Sequence, residues 1–146
     1  STVGLALAET LGRPFIDTDT EIKKKCGCEI SEIFEKQGEA GFREIEAEVV
    51  REVAMTNGAV IATGGGAILR DDNVRALRRN GRLYFLNRAL EALIPTDDRP
   101  LASTVEAIKR RFEERYDRYL ATCDCEIKID ENIEHTVSSI RKDFHI

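Results

Sequence analysis

The chain has 146 residues, 42% hydrophobic and 34% charged, the balance of one soluble globular domain rather than of a disordered tail. Its net charge of -5 argues against a nucleic-acid binder with a basic face: Lys23-Lys24-Lys25 and Arg78-Arg79 sit among acidic residues and fit solvated helix faces. No apolar run reaches the roughly 18–20 residues that span a bilayer and no signal peptide opens the chain, so neither membrane nor nucleic acid is an expected partner and the cytoplasm is the expected compartment.

Val3, Leu5, Leu7 and Leu11, with Ala6 and Ala8, predict an apolar helix that ends near Gly12. Arg13-Pro14-Phe15-Ile16-Asp17 reads as a short strand running into a polar turn. Ser31-Glu32-Ile33-Phe34 is a short helical piece stopped before Gly38. From Glu39 to about Met55, Ile45, Val49, Val50 and Val53 give a long amphipathic helix. Ala59-Val60-Ile61-Ala62-Thr63 is a buried strand feeding Gly64-Gly65-Gly66. Asp71 or Asp72 is a candidate cap for a helix closing at Gly81, and Leu83-Tyr84-Phe85-Leu86 is the next buried strand. Pro95 to Pro100 has the turn chemistry of a mobile loop. Thr104 to Leu120 follows as a charged helix, Glu126 to Ile129 as an edge-like strand, and Ile133 to Phe144 as a closing helix.

Strands alternating with helices predict an α/β sandwich with a parallel sheet. No strand precedes the first helix, although a helix beginning Ser1-Thr2-Val3-Gly4 is the usual sequel to a glycine loop. The four cysteines form two CxC pairs, Cys26-Gly27-Cys28 and Cys123-Asp124-Cys125. Zinc sites use wider C-x(2–4)-C knuckles, so reduced structural thiols are expected.

Six features carry chemistry. The Ser1-Thr2 pair fits either a plain helix cap or the last hydroxyl position of a phosphate loop, where it would meet Mg²⁺. Asp17 and Asp19, two carboxylates at i, i+2, point the same way from an extended backbone; a solvated turn fits as well as a division of labour between metal and reacting hydroxyl. Arg43 and Glu46 share one helix face at i, i+3, as a surface ion pair or as an arginine held ready to grip a carboxylate. Gly64-Gly65-Gly66 removes every Cβ from the loop after a buried strand and opens backbone N–H groups to a ligand. Arg99 in the Pro/Asp loop, and Arg115 near Tyr116 and Tyr119, are further candidates, Arg99 to neutralise a transferring phosphoryl group.

In order, STVG, LA..LG..F.DTD, GE..FR..E, IATGGGAIL, NG.L.FL, DRPL and R...Y...CD resemble the shikimate kinase family along essentially the whole chain. The resemblance implies a P-loop NTPase-like three-layer sandwich with a central parallel sheet, its first strand absent here. It implies one kinase domain over 1–146 with a lid loop at about 88–103. It implies ATP-dependent phosphorylation of the shikimate 3-hydroxyl, on the route to chorismate and aromatic amino acids, with Mg²⁺ as cofactor. Carried over by residue, Ser1 resembles the Mg²⁺ ligand and Asp17 its water-mediated partner, with Ser1, Thr2 and Arg99 on the nucleotide. Asp19 resembles the residue that holds the shikimate hydroxyls and takes the reacting proton. Arg43 and Arg115 resemble the carboxylate clamp, Glu46 the partner orienting Arg43, and Gly64, Gly65 and Gly66 backbone contacts to shikimate; Arg99 resembles the catalytic lid arginine.

The stretch Ala92-Leu93-Ile94-Pro95-Thr96 lacks the arginine that in this family packs on adenine, leaving Arg88 as the nearest candidate. These residues alone, without the strand and glycine loop, are expected to be nearly inactive. A monomer, or one domain of a larger aromatic-pathway polypeptide, is the expected form. A gluconate-type kinase and a non-catalytic binding module are the rival readings.

Overall fold

The computed structural model describes residues 2–88 and 102–145, with side chains from 105 onward in the second stretch. Two compact units divide the chain, Ser1–Arg82 and Leu83–Ile146. Helix α1 spans Thr2–Leu11, strand β1 Phe15–Asp17, helix α2 Thr18–Cys26 and helix α3 Ile30–Val53. Strand β2 (Val60–Ala62), a 3₁₀ turn (Ala67–Leu69) and helix α4 (Asp71–Arg79) complete the first unit. The second contains β3 (Tyr84–Asn87), α5 (Ala102–Thr122), β4 (Cys125–Lys128) and α6 (Ile133–Phe144).

In the first unit β1 pairs with β2 in parallel, Phe15 opposite Val60 and Asp17 opposite Ala62. Ile22, Ile33, Phe42, Val49 and Val53 form the core, joined by Ile16 from β1 and Ile61 from β2. Burying such side chains stabilises by about 1.5–3 kcal/mol each. Cys26 and Cys28 pack against this same core, which explains that CxC pair as apolar filling; all four cysteines are free thiols. α1 lies close on the strands, because a Cβ on Gly4 would sit 2.8 Å from Phe15 Cε1.

The Asp17–Asp19 segment departs from the sequence expectation. It is no polar turn: Thr18–Cys26 is helical, started by the Asp17 carboxylate. Asp17 Oδ1 accepts the N–H groups of Asp19 at 2.9 Å and Thr20 at 3.4 Å, satisfying donors that a helix start leaves orphaned. The helix closes on Gly27 at φ 68°, where a left-handed residue is required. At α4 the outcome is reversed. Neither Asp71 nor Asp72 caps; Arg70 holds that position without a side-chain bond, and the two acids lie in the first turn, where they complement the helix dipole. The break expected at Gly38 is present, with φ 72° interrupting α3 between its short and long halves.

In the second unit β3 and β4 are parallel, Tyr84 opposite Cys125 and Asn87 opposite Lys128. Phe85 of β3 packs on Tyr119 at 4.9 Å and on Tyr116 at 6.1 Å, so both tyrosines serve the apolar face of α5. The Tyr84 hydroxyl donates to Asp143 at 2.6 Å, tying α6 to β3. The parallel α/β class expected from the alternation is thus present, with one parallel strand pair in each unit among the described residues. Among the described residues no helix is long and apolar enough to cross a membrane.

Candidate functional site

Chemistry-bearing residues of the first unit converge on the glycine loop that follows β2. α3 supplies Arg43 and Glu46, adjacent on its surface because they are three residues apart. Arg43 Nη1 donates to Glu46 Oε1 at 2.9 Å, and the Glu46 side chain is 2% exposed against 24% for Arg43. Glu39, one turn earlier and largely exposed, lies 3.6 Å from Nη2. The Arg43 guanidinium also lies 5.2 Å from the centroid of the Phe42 ring. One edge of the fork is therefore fixed by a buried carboxylate while the group keeps an outlet to solvent.

The glycines have a reason that spacing alone did not show. None of the three has a left-handed φ. A Cβ on Gly66 would lie 2.7 Å from Arg43 Cζ, and one on Gly64 would lie 3.1 Å from Asp19 Oδ1 and 3.6 Å from Glu46 Oε2. Their bareness thus admits the functional side chains themselves to the loop. Asp19 meets the loop at Gly64, Arg43 meets it at Gly66, and Gly65 between them is exposed.

Asp19 reaches this place from the first turn of α2, not from an extended strand as its spacing suggested. Burial, and then repulsion from the Asp17 carboxylate, push its carboxyl above the ordinary value, while Lys23 and Arg43 pull it down. A half-buried carboxylate held between like and unlike charges suits proton transfer.

The Shikimate kinase family profile matches residues 1–144. The chain belongs to the shikimate kinase family. A shikimate kinase of Chromohalobacter salexigens is 39% identical over 137 residues, covering 89% of this chain and 76% of that protein. One from Clostridium botulinum is 39% identical over 146 residues, covering 97% of this chain and 88% of that one. Among solved structures, shikimate kinase from Bacteroides thetaiotaomicron superposes with a TM-score of 0.87 at 31% identity, over 100% of this chain and 92% of that one. Shikimate kinase from Acinetobacter baumannii in complex with shikimate gives 0.88 at 31%, over 99% and 86%. The fold is therefore that of the shikimate kinases, a P-loop kinase fold.

Of the residues the sequence singled out, the structure brings together Asp17, Asp19, Arg43, Glu46, Gly64 and Gly66. Thr2 is exposed at the start of α1, Arg88 is exposed after β3, and Arg115 is half-buried on α5 in the second unit. Ser1, Arg99 and most of the 88–103 lid lie outside the described residues. Lys23, expected only on a solvated helix face, acts on Asp19, and Glu39 joins Arg43 through an i, i+4 spacing that is a readable signal in the chain.

Proposed function

We propose that this chain transfers a phosphoryl group from ATP to the 3-hydroxyl of shikimate, giving shikimate 3-phosphate on the route to chorismate and the aromatic amino acids. The observation that carries the reading is the loop with a carboxylate at one end and an anchored arginine at the other: Asp19 against Gly64, Arg43 against Gly66. Such a face suits a hydroxylated carboxylate anion. Arg43 pairs with the carboxylate of the acceptor, its bearing fixed by Glu46. Asp19 holds the acceptor hydroxyls and takes the proton released as the 3-oxygen bonds to phosphorus; its raised pKa favours that step. Arg115 is assigned as the second arginine of the clamp, and Gly65 as a backbone contact.

On the nucleotide side, Ser1 and Thr2 are assigned to the phosphates: Thr2 begins α1, and backbone N–H groups at a helix start suit phosphate. Arg99 is assigned to the transferred phosphate. The donor set fits Mg²⁺, since the Asp17 carboxylate is a hard oxygen ligand and Ser1 a hydroxyl. The ion would neutralise charge on the phosphates, with Asp17 acting through a water. Positioning and charge stabilisation, rather than covalent chemistry, make up the catalysis. Residues 1–146 are taken as one kinase domain with its lid at about 88–103, acting in the cytoplasm where ATP is supplied. It works as a monomer or as one domain of a larger aromatic-pathway polypeptide.

The test is a coupled ADP-release assay on the protein with its natural termini, offering shikimate, gluconate or no acceptor. Shikimate-dependent release is expected. Release without an acceptor, or preference for gluconate, overturns the reading.

A further inference from the structure

Asn73, in the first turn of α4, is 1% exposed, and its Nδ2 donates to the Ala67 carbonyl at 2.9 Å. Its Oδ1 is buried with no hydrogen-bond partner among the described residues. A buried acceptor left without a partner costs stability. An apolar side chain here would avoid that cost, so packing alone does not account for an amide. Stability conceded at one position points to a role elsewhere.

The carbonyl it holds belongs to the residue directly after Gly66. Ala67 is fully buried, and its N–H donates to Gly64 O at 3.2 Å, while Leu69 N–H donates to Gly66 O at 3.2 Å. The backbone's own bond to Ala67 O, from Arg70 N–H, is long at 3.5 Å. The Asn73 amide is thus the shorter of the two bonds pinning the end of the glycine turn. That turn presses on the guanidinium, because the space of a Gly66 Cβ is already taken by Arg43. A drift of ~1 Å in a positioning group can cost about 10²-fold.

We propose that Asn73 is a positioning residue of the acceptor site: by holding Ala67 O it seats Gly66 against Arg43 and so sets the bearing of the carboxylate clamp. The inference rests on the assignment of Arg43 to the shikimate carboxylate. Asn73→Leu fills the space without the donor, and Asn73→Asp keeps the shape without it. Both are measured in the protein with its natural termini, for melting temperature, kcat and the KM of each substrate. Asn80→Ala is the control, since the Asn80 amide bonds Asn57 at 2.8 Å and Ala54 O at 3.3 Å at the far end of α4.

Both Asn73 variants should raise the KM for shikimate about tenfold with the KM for ATP unchanged. Asn80→Ala should lower the melting temperature and move neither KM. An unchanged shikimate KM in either Asn73 variant overturns the inference, as does a parallel rise in both KM values tracking lost stability. If the wild-type protein releases no ADP in response to shikimate, the functional reading itself fails and this inference falls with it.

Discussion

Arg43 is bonded at 2.9 Å to a Glu46 side chain that is only 2% exposed, yet keeps 24% of its own side chain open to solvent. A buried carboxylate thus aims a half-open guanidinium. Replacing Arg43 by lysine keeps the charge and loses the planar fork. Arg43→Lys should raise the KM for shikimate about 10- to 100-fold with a smaller effect on kcat, read in steady-state kinetics. An unchanged KM would remove Arg43 from the clamp.

Glu46 is the anchor of that pair. Glu46→Ala removes the buried partner of Arg43 and leaves it the exposed Glu39 at 3.6 Å, a change that costs about 3–5 kcal/mol where both charges are buried and less here, where Arg43 reaches solvent and keeps a second carboxylate. Denaturant unfolding should show a lowered midpoint. The shikimate KM should rise alongside it, because Arg43 loses its bearing.

Two glycines should respond in opposite ways to alanine. At Gly66 φ is -92°, an ordinary conformation, but the new methyl would collide with the Arg43 guanidinium. Gly66→Ala should therefore raise the shikimate KM strongly with a modest loss of stability. Gly38 has open space around it but φ 72°, so Gly38→Ala should cost about 1 kcal/mol in unfolding free energy and leave the KM alone.

Asp19 carries a raised pKa, from burial first and then from Asp17. The folded protein keeps this proton to higher pH than the unfolded chain does. Stability is therefore lost as pH rises from the unfolded value of about 3.8 through the raised folded value. Asn in its place carries no charge to desolvate. Asp19→Asn should melt higher than wild type at pH 7, with the gain vanishing in acid. The same variant should lose about 10²–10⁴ in kcat, as expected for a lost proton acceptor. Retained turnover would leave Asp19 a helix-start residue only.

Asp17 combines a cap with a proposed place near Mg²⁺, and two substitutions separate them. Asp17→Asn keeps an oxygen for the Asp19 and Thr20 N–H groups, so its melting temperature should hold while the Mg²⁺ needed for half-maximal activity rises. Asp17→Ala should also destabilise by about 1 kcal/mol. An Asp17→Asn enzyme with an unchanged Mg²⁺ titration would leave the residue its capping role alone.

Much of the element order was legible because it is written in local periodicity. Helix α6 falls at Ile133–Phe144 as expected, α1 ends beside Gly12, and Gly38 divides α3. The α2 helix was not legible. Thr18–Cys26 has a lone buried aliphatic side chain, Ile22, and its start depends on how Asp17 turns back onto its own backbone. The Asp71–Asp72 cap failed for the related reason that two adjacent acids fit a first turn as well as a cap.

By itself the sequence determined the parallel α/β class, the identity of the acidic, basic and glycine residues, and the i, i+3 pairing of Arg43 with Glu46, all of which depend on backbone preference or spacing within a few residues. Only the tertiary structure decided what those residues face. Asp19, Arg43 and Gly64–Gly66 come from three separate segments, and packing of the Ile22, Ile33 and Phe42 core brings α2 and α3 over the loop. The glycines are bare to make room for Asp19 and Arg43, and a buried Asn73 stands behind them. Steric exclusion between segments distant in sequence leaves no periodic trace in the chain, so it becomes visible only once the chain is packed.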